Sequence, residues 1–128
     1  AAGGKLFEVE VYIFEIPQTL QVKIYSQSVV DSPATLVHTQ NVTLGISPDS
    51  WNTIALTDSI DVPVGEDLWI SMRYKQVLDQ RIIGCDTGPA VENGDWIFDT
   101  AVGQWLTLRE TTRNGTDINW NIRGKVAN

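Results

Sequence analysis

The chain has 128 residues, 42% of them hydrophobic and 20% charged, a globular composition that suits one domain with its own core. Its formal net charge of -7 is the wrong sign for a nucleic-acid or anionic-membrane footprint and suits neutral or cationic partners or divalent cations. The lone cysteine, Cys85, allows no intramolecular disulfide, with the one histidine, His38, it makes no closed zinc site, and no apolar run nears the ~18 residues of a membrane helix.

The opening AAGGKLFEVEV enters strand-like sequence almost at once and reads as an excised domain or a mature fragment of a longer chain. KLFEVEVYIFEI then alternates, with Phe7, Val9, Val11 and Ile13 on one face and Glu8, Glu10 and Tyr12 on the other. Period two with one apolar face is the signature of a half-buried strand. LQVKIYS repeats it, with Leu20, Val22 and Ile24 inward and Gln21, Lys23 and Tyr25 outward. TLVHTQNVTL is a third strand of less definite facing, and WNTIALT a fourth with Ile54 and Leu56 inward. In DLWISMRYK, Leu68, Ile70, Met72 and Tyr74 share one face and Trp69, Ser71 and Arg73 the other. QRIIGC, DWIFD, QWLTLRE and INWNIRGKV follow.

Turn signals separate these runs at Ile16-Pro17-Gln18, Asp31-Ser32-Pro33, Ser47-Pro48-Asp49-Ser50, Val62-Pro63-Val64-Gly65, Gly88-Pro89, Ala101-Val102-Gly103 and Arg113-Asn114-Gly115. Their spacing is close to the ~8–12 residues of an all-β sandwich or barrel. The expectation is one antiparallel β-sandwich spanning residues 1–128, of jelly-roll type, whose last strand (Asn119 to Val126) pairs with an early one.

Catalysis finds no constellation here. His38 sits mid-strand in LVHTQ with no nucleophile elbow beside it, and Cys85 reads as a small core residue without an activating base. Sixteen acids make some carboxylate pair inevitable, so a glycosidase pair carries no signal. The chain is expected to be non-catalytic.

Five tryptophans are about four times the usual frequency of roughly one per cent. Trp120 reads as core and Trp51 as a cap on the sandwich edge. Trp96 and Trp105 flank DWIFDTAVGQW, with Asn93, Asp95, Asp99 and Gln104 nearby. Indole faces bury the C–H faces of sugar rings while amides and carboxylates bond their hydroxyls. The expected carbohydrate site is therefore Trp96 and Trp105, with Asn93, Asp95 and Asp99 as hydrogen-bonding partners. An alternative platform on a sheet face uses the outward Tyr12, Tyr25, Trp69 and Arg73. The acid-only loop GCDTGPAVENGDW adds Asp86, Glu92 and Asp95 as candidate Ca²⁺ ligands, although its spacing is not that of an EF-hand.

The segments VKIYSQ, WNTIALTDSIDVPVGEDLWISMRY, GCDTGPAVENGDWI, GQWLTL and INWNIRGKV resemble accessory β-sandwich domains of large secreted or cell-surface proteins of Bacteroidota-type bacteria. The chain also resembles gingipain-type adhesin domains, and in architecture carbohydrate-binding modules. The resemblance runs from about Lys5 to Val126. It implies a jelly roll, a secreted or cell-surface location, a non-catalytic role and covalently linked enzyme domains in the parent chain. Ser71 stands where that pattern usually carries Gly. The functional expectation is a module that targets a glycoside hydrolase to polysaccharide, a β-glucan or other plant glycan, with a protein-binding adhesin or spacer domain as the alternative.

Overall fold

The computed structural model describes residues 4–26, 35–43, 45–65, 67–75, 81–90, 94–108 and 118–127. They are all-β, with eight strands: β1 (Lys5–Ile13), β2 (Thr19–Ser26), β3 (Thr35–Asn41), β4 (Ser50–Asp61), β5 (Leu68–Lys75), β6 (Trp96–Asp99), β7 (Gln104–Thr107) and β8 (Ile122–Ala127). Two compact units contain them, one formed by Ala1–Gly84 with Ile122–Asn128, the other by Cys85–Asn121. The turn signals at Asp31-Ser32-Pro33 and Arg113-Asn114-Gly115 lie outside the described residues.

The first unit is built from two three-stranded antiparallel sheets, in the orders β4-β1-β8 and β3-β2-β5. Alternation decides what each buries. Val9, Val11 and Ile13 of β1 and Val22 and Ile24 of β2 are fully buried, and they share one core cluster with Leu6, Leu20 and Ile54. Leu68, Ile70, Met72 and Tyr74 of β5 pack against it, as expected of that strand. The result is a β-sandwich arrangement, each such side chain contributing ~1.5–3 kcal/mol by leaving water. The last strand does pair with an early one: β8 runs antiparallel to β1, with Val9 opposite Gly124 and Val11 opposite Ile122. A Cβ at Gly124 would stand 2.6 Å from Leu6 Cδ1 and 2.8 Å from Ile70 Cδ1, so a side chain there would press on both sheets.

One strand departs from simple alternation. The register of β1 shifts between Leu6 and Glu8 against both its neighbours. Against β8 the extra residue is Phe7, whereas against β4 the surplus lies on β4, where Leu56 to Ser59 stand against Phe7 alone. The phase flips here, with Leu6 buried and Phe7 exposed. The expectation of an inward Phe7 is corrected by this bulge, because an inserted residue reverses every facing on one side of it.

The edge strands β3 and β4 are tied by one side chain. His38 and Gln40 lie opposite the core residues Ile24 and Val22. Gln40 donates from Nε2 to the Ala55 carbonyl (2.9 Å) and accepts at Oε1 from the Thr57 N–H (2.9 Å). His38 Nε2 stands 3.1 Å from the same Oε1, in the role of an ordinary strand histidine.

In the second unit, β6 and β7 form an antiparallel hairpin. Cys85 pairs with Trp120 in an isolated bridge and is exposed, which corrects its expected place in a core. Trp120 is half-buried, and its Nε1 donates to the Trp96 carbonyl at 3.1 Å.

Candidate functional site

Aromatic side chains gather in three places, each fixed by strand register. On the hairpin, Phe98 lies opposite Trp105 and Trp96 opposite Thr107. Side chains two apart share a face, so Trp96, Phe98, Trp105 and Thr107 form one row. Phe98 and Trp105 meet edge to face, 5.4 Å between centroids and 72° between planes. Phe98 is the exposed member and both tryptophans are half-buried. The expected Trp96–Trp105 pair is thus brought to one face, with Phe98 as a third ring the sequence reading missed.

The acids expected beside that pair are placed differently. Asp95 is fully buried, so its carboxylate faces neither a surface sugar nor a surface cation here. Asn93, Glu92 and the side chain of Asp99 lie outside the described residues. Asp86 has its own partners: Oδ1 accepts from the N–H groups of Gly88 (2.8 Å) and Asn119 (2.9 Å), and Oδ2 from Asn119 Nδ2 (3.0 Å). These bonds, that of the Asn119 side chain foremost, hold its carboxyl below the ordinary value. Gly88 takes a positive φ of 80°, open to glycine without a Cβ penalty. An amide from Asn119, a distant residue of the chain, therefore organises this acidic loop. Among the described residues, no three potential metal-ligating side chains stand together.

The outward face of β4-β1-β8 carries the second group. Tyr12 lies opposite Trp51 and meets it edge to face at 5.8 Å, and Phe14 meets Tyr12 at 5.1 Å. The buried Asn52 folds the preceding turn by bonding Ser47 N and the Ser47 and Ser50 carbonyls. That turn holds Asp49 at a φ of 50°, where its Oδ1 accepts from the Tyr12 hydroxyl at 2.7 Å and raises the phenol's pKa. Arg123 stacks over Trp51, 4.0 Å from ring centroid to Cζ, while its Nε bonds Glu10 at 2.9 Å. Lys125 completes the row on Glu10 (2.8 Å) and Glu8 (3.4 Å). Trp51 is 42% exposed and Phe14 43%, so Trp51 belongs to a sheet-face cluster rather than to an edge cap.

The third group is on the outward face of β3-β2-β5. The register makes four rows: Tyr25 opposite Trp69, Lys23 between Thr39 and Ser71, Gln21 between Asn41 and Arg73, and Thr19 opposite Lys75. Tyr25 and Trp69 are half-buried, Arg73 and Lys75 exposed. Burial raises the Tyr25 phenol above its ordinary pKa and the Arg73 guanidinium opposes that shift, which sets the two groups within electrostatic reach. Three of the four residues expected on a sheet platform are therefore assembled. Tyr12 is the correction: it lies on the other sheet, since alternation reports inward or outward but not which sheet.

Beyond the Gln21 row this face runs into an open groove of about 670 Å³ lined by Pro17, Gln18, Thr19, Leu20, Gln21, Asn41, Val42, Thr43 and Arg73. That is within the ~300–1,000 Å³ of small-molecule sites. Its amides and hydroxyls both donate and accept, and Gln21 Nε2 holds Asn41 Oδ1 at 2.8 Å. Compared with protein-family models, curated proteins and solved structures, the chain matches none.

Proposed function

We propose that this chain is a non-catalytic carbohydrate-binding domain, and that the outward face of β3-β2-β5 is its site. The observation that carries the reading is the Tyr25–Trp69 row, an aromatic pair on a rigid sheet that leads through Gln21, Asn41 and Ser71 into a polar groove. Aromatic rings bury the apolar faces of sugars, and amides and hydroxyls bond their edges. From Thr19 to Tyr25 the strand runs ~20 Å at ~3.3 Å per residue, a track for several rings of a chain rather than for one chain end. The same reading takes in a jelly-roll connection of the strands, a secreted or cell-surface location and a parent chain that carries an enzyme such as a glycoside hydrolase.

A second reading, a protein-binding adhesin or spacer domain, is favoured by the exposed Trp51 and Phe14 around Tyr12 on the opposite face. Affinity electrophoresis separates the two. The folded chain should be retarded by at least one class among β-glucans, xyloglucan, xylans, mannans and acidic polysaccharides. Tyr25→Ala should abolish that retardation, a lost stack costing about 1–3 kcal/mol, and Trp105→Ala should leave it. The reverse pattern moves the site to the hairpin. No retardation by any glycan overturns the carbohydrate reading in favour of the adhesin.

A further inference from the structure

The three strands of the candidate face read TLVHTQN, TLQVKIYS and LWISMRYK. They contain Lys23, Arg73 and Lys75 and not one Asp or Glu, in a protein with 16 acids and a net charge of -7. The other sheet of the same unit is mixed: Glu8, Glu10, Asp58 and Asp61 stand with Lys5, Arg123 and Lys125, and those three cations are all in ion pairs. Among the described residues, no carboxylate pairs with Lys23, Arg73 or Lys75. Register places all three on the outward side, in successive rows below the Tyr25–Trp69 pair, and among the described residues Arg73 is the one charged residue lining the groove.

We infer that this face binds an acidic polysaccharide, a chain of sugars bearing carboxylate or sulfate groups, rather than a neutral glucan. The inference rests on the carbohydrate-binding reading above and names its substrate class. A neutral glycan needs stacking rings, amides and hydroxyls, and three cations with no carboxylate partner among the described residues add nothing to its recognition. An acidic glycan needs both sets. Its anions fit Arg73, whose planar fork matches a carboxylate or sulfate, and the ammonium groups of Lys23 and Lys75. Its ring faces fit Tyr25 and Trp69, and its hydroxyls fit Gln21, Asn41 and Ser71. A non-sugar polyanion would use the cations alone. Charges interact over only about 8–10 Å at ordinary ionic strength, so the local surface and not the net charge of the whole chain decides what this face attracts.

The test is titration calorimetry of the full chain with oligogalacturonate, alginate oligomers and sulfated dextran, against cello- and manno-oligosaccharides and poly-glutamate. At least one acidic glycan should bind roughly tenfold or more tightly than every neutral one, and its binding should weaken as salt is raised. Arg73→Gln should weaken it by about tenfold, the scale of one charge-assisted hydrogen bond. Lys75→Gln, at an exposed position, gives a second variant, and thermal melts confirm the fold of each. The uronate and sulfate arms identify the anion. Binding to neutral glycans with none to the acidic ones overturns this inference and leaves the carbohydrate reading standing. Silence from every glycan removes both. Equal binding of poly-glutamate overturns sugar recognition in favour of charge alone.

Discussion

Arg123 and Arg73 stand on the two outward faces of the same unit, and their surroundings could hardly differ more. Arg123 lies over Trp51 and bonds Glu10, which also holds Lys125. Tyr12 is bonded to Asp49, and Lys125 also reaches Glu8, so the phenol, the two cations of β8 and the acids of β1 all have partners. Arg73 shares its face with Tyr25, Trp69, Lys23 and Lys75, and no acid stands on its sheet. The first face is the more exposed in aromatic surface, with Trp51 and Phe14 both over 40% exposed. Exposure alone would choose it as the binding site. Cations with no carboxylate partner among the described residues choose the other, because a face whose charges satisfy each other has little left for a ligand.

The comparison breaks first at Gly84. Its N–H donates to the Tyr12 carbonyl at 2.8 Å, and a Cβ there would stand 2.8 Å from Tyr12 Cδ1 and 3.0 Å from Tyr12 Cβ. The neighbour is the root of a ring and not a free methyl end, so it has little room to give. Gly84→Ala should destabilise the chain by about 1–3 kcal/mol, the usual range for overpacking, as read by urea unfolding. If the self-paired face is structural, glycan binding by the surviving folded fraction stays unchanged. A loss of glycan affinity at full folding would instead move the ligand onto the Tyr12–Trp51 face.

Protonation sharpens the contrast next. The bond from Lys125, with charge from Lys125 and Arg123, lowers the pKa of Glu10, and Glu10 and Glu8 raise that of Lys125. A carboxylate with a depressed folded pKa stabilises the fold fully above its unfolded pKa of ~4.3 and loses that contribution as pH falls through the folded value. Lys125 has the opposite sign: its contribution is present below its unfolded pKa and lost as pH rises through the raised one. Thermal midpoints should therefore fall from about pH 5 toward pH 3, and Glu10→Gln should flatten part of that slope. Asp86 titrates in the same direction in the other unit, so the informative quantity is the difference between the variant and the parent chain. Equal slopes would show that the Glu10 network is ornamental to stability.

Much of the fold was legible because burial writes itself into period two. Leu20, Val22 and Ile24 and the inward side of β5 follow from that pattern and are found. The pairing of the last strand with an early one, expected from how sandwiches bring their termini together, is found with β1 as the partner. Phe7 was not legible, since one inserted residue changes the phase without changing the composition around it. The break at Gly84 and Cys85 between the two compact units carries no shift in composition either. Tyr25, Trp69 and Arg73 were readable as outward, and Tyr12 equally so; only strand pairing shows that Tyr12 is on the other sheet. The absence of acid from three strands was present in the sequence throughout. It becomes a property of one surface only when β2, β3 and β5 are known to be neighbours, which long-range pairing decides and local pattern does not.

The smallest effect separates the two arginines themselves. Arg123→Gln removes a guanidinium stacked at 4.0 Å on Trp51, and an exposed stack of that kind is worth about 0.5–1 kcal/mol. Arg73→Gln removes a side chain that pairs with no carboxylate among the described residues, and should change stability by less than about 0.5 kcal/mol, as surface substitutions away from such features do. Paired urea unfolding curves with equal slopes can resolve the two. Binding should rank them in the opposite order, with acidic-glycan affinity lost in Arg73→Gln and kept in Arg123→Gln. An Arg73→Gln variant that loses stability instead would mean the guanidinium already has a structural partner, and the acid-free face would then be a second self-satisfied surface rather than a site held open for a ligand.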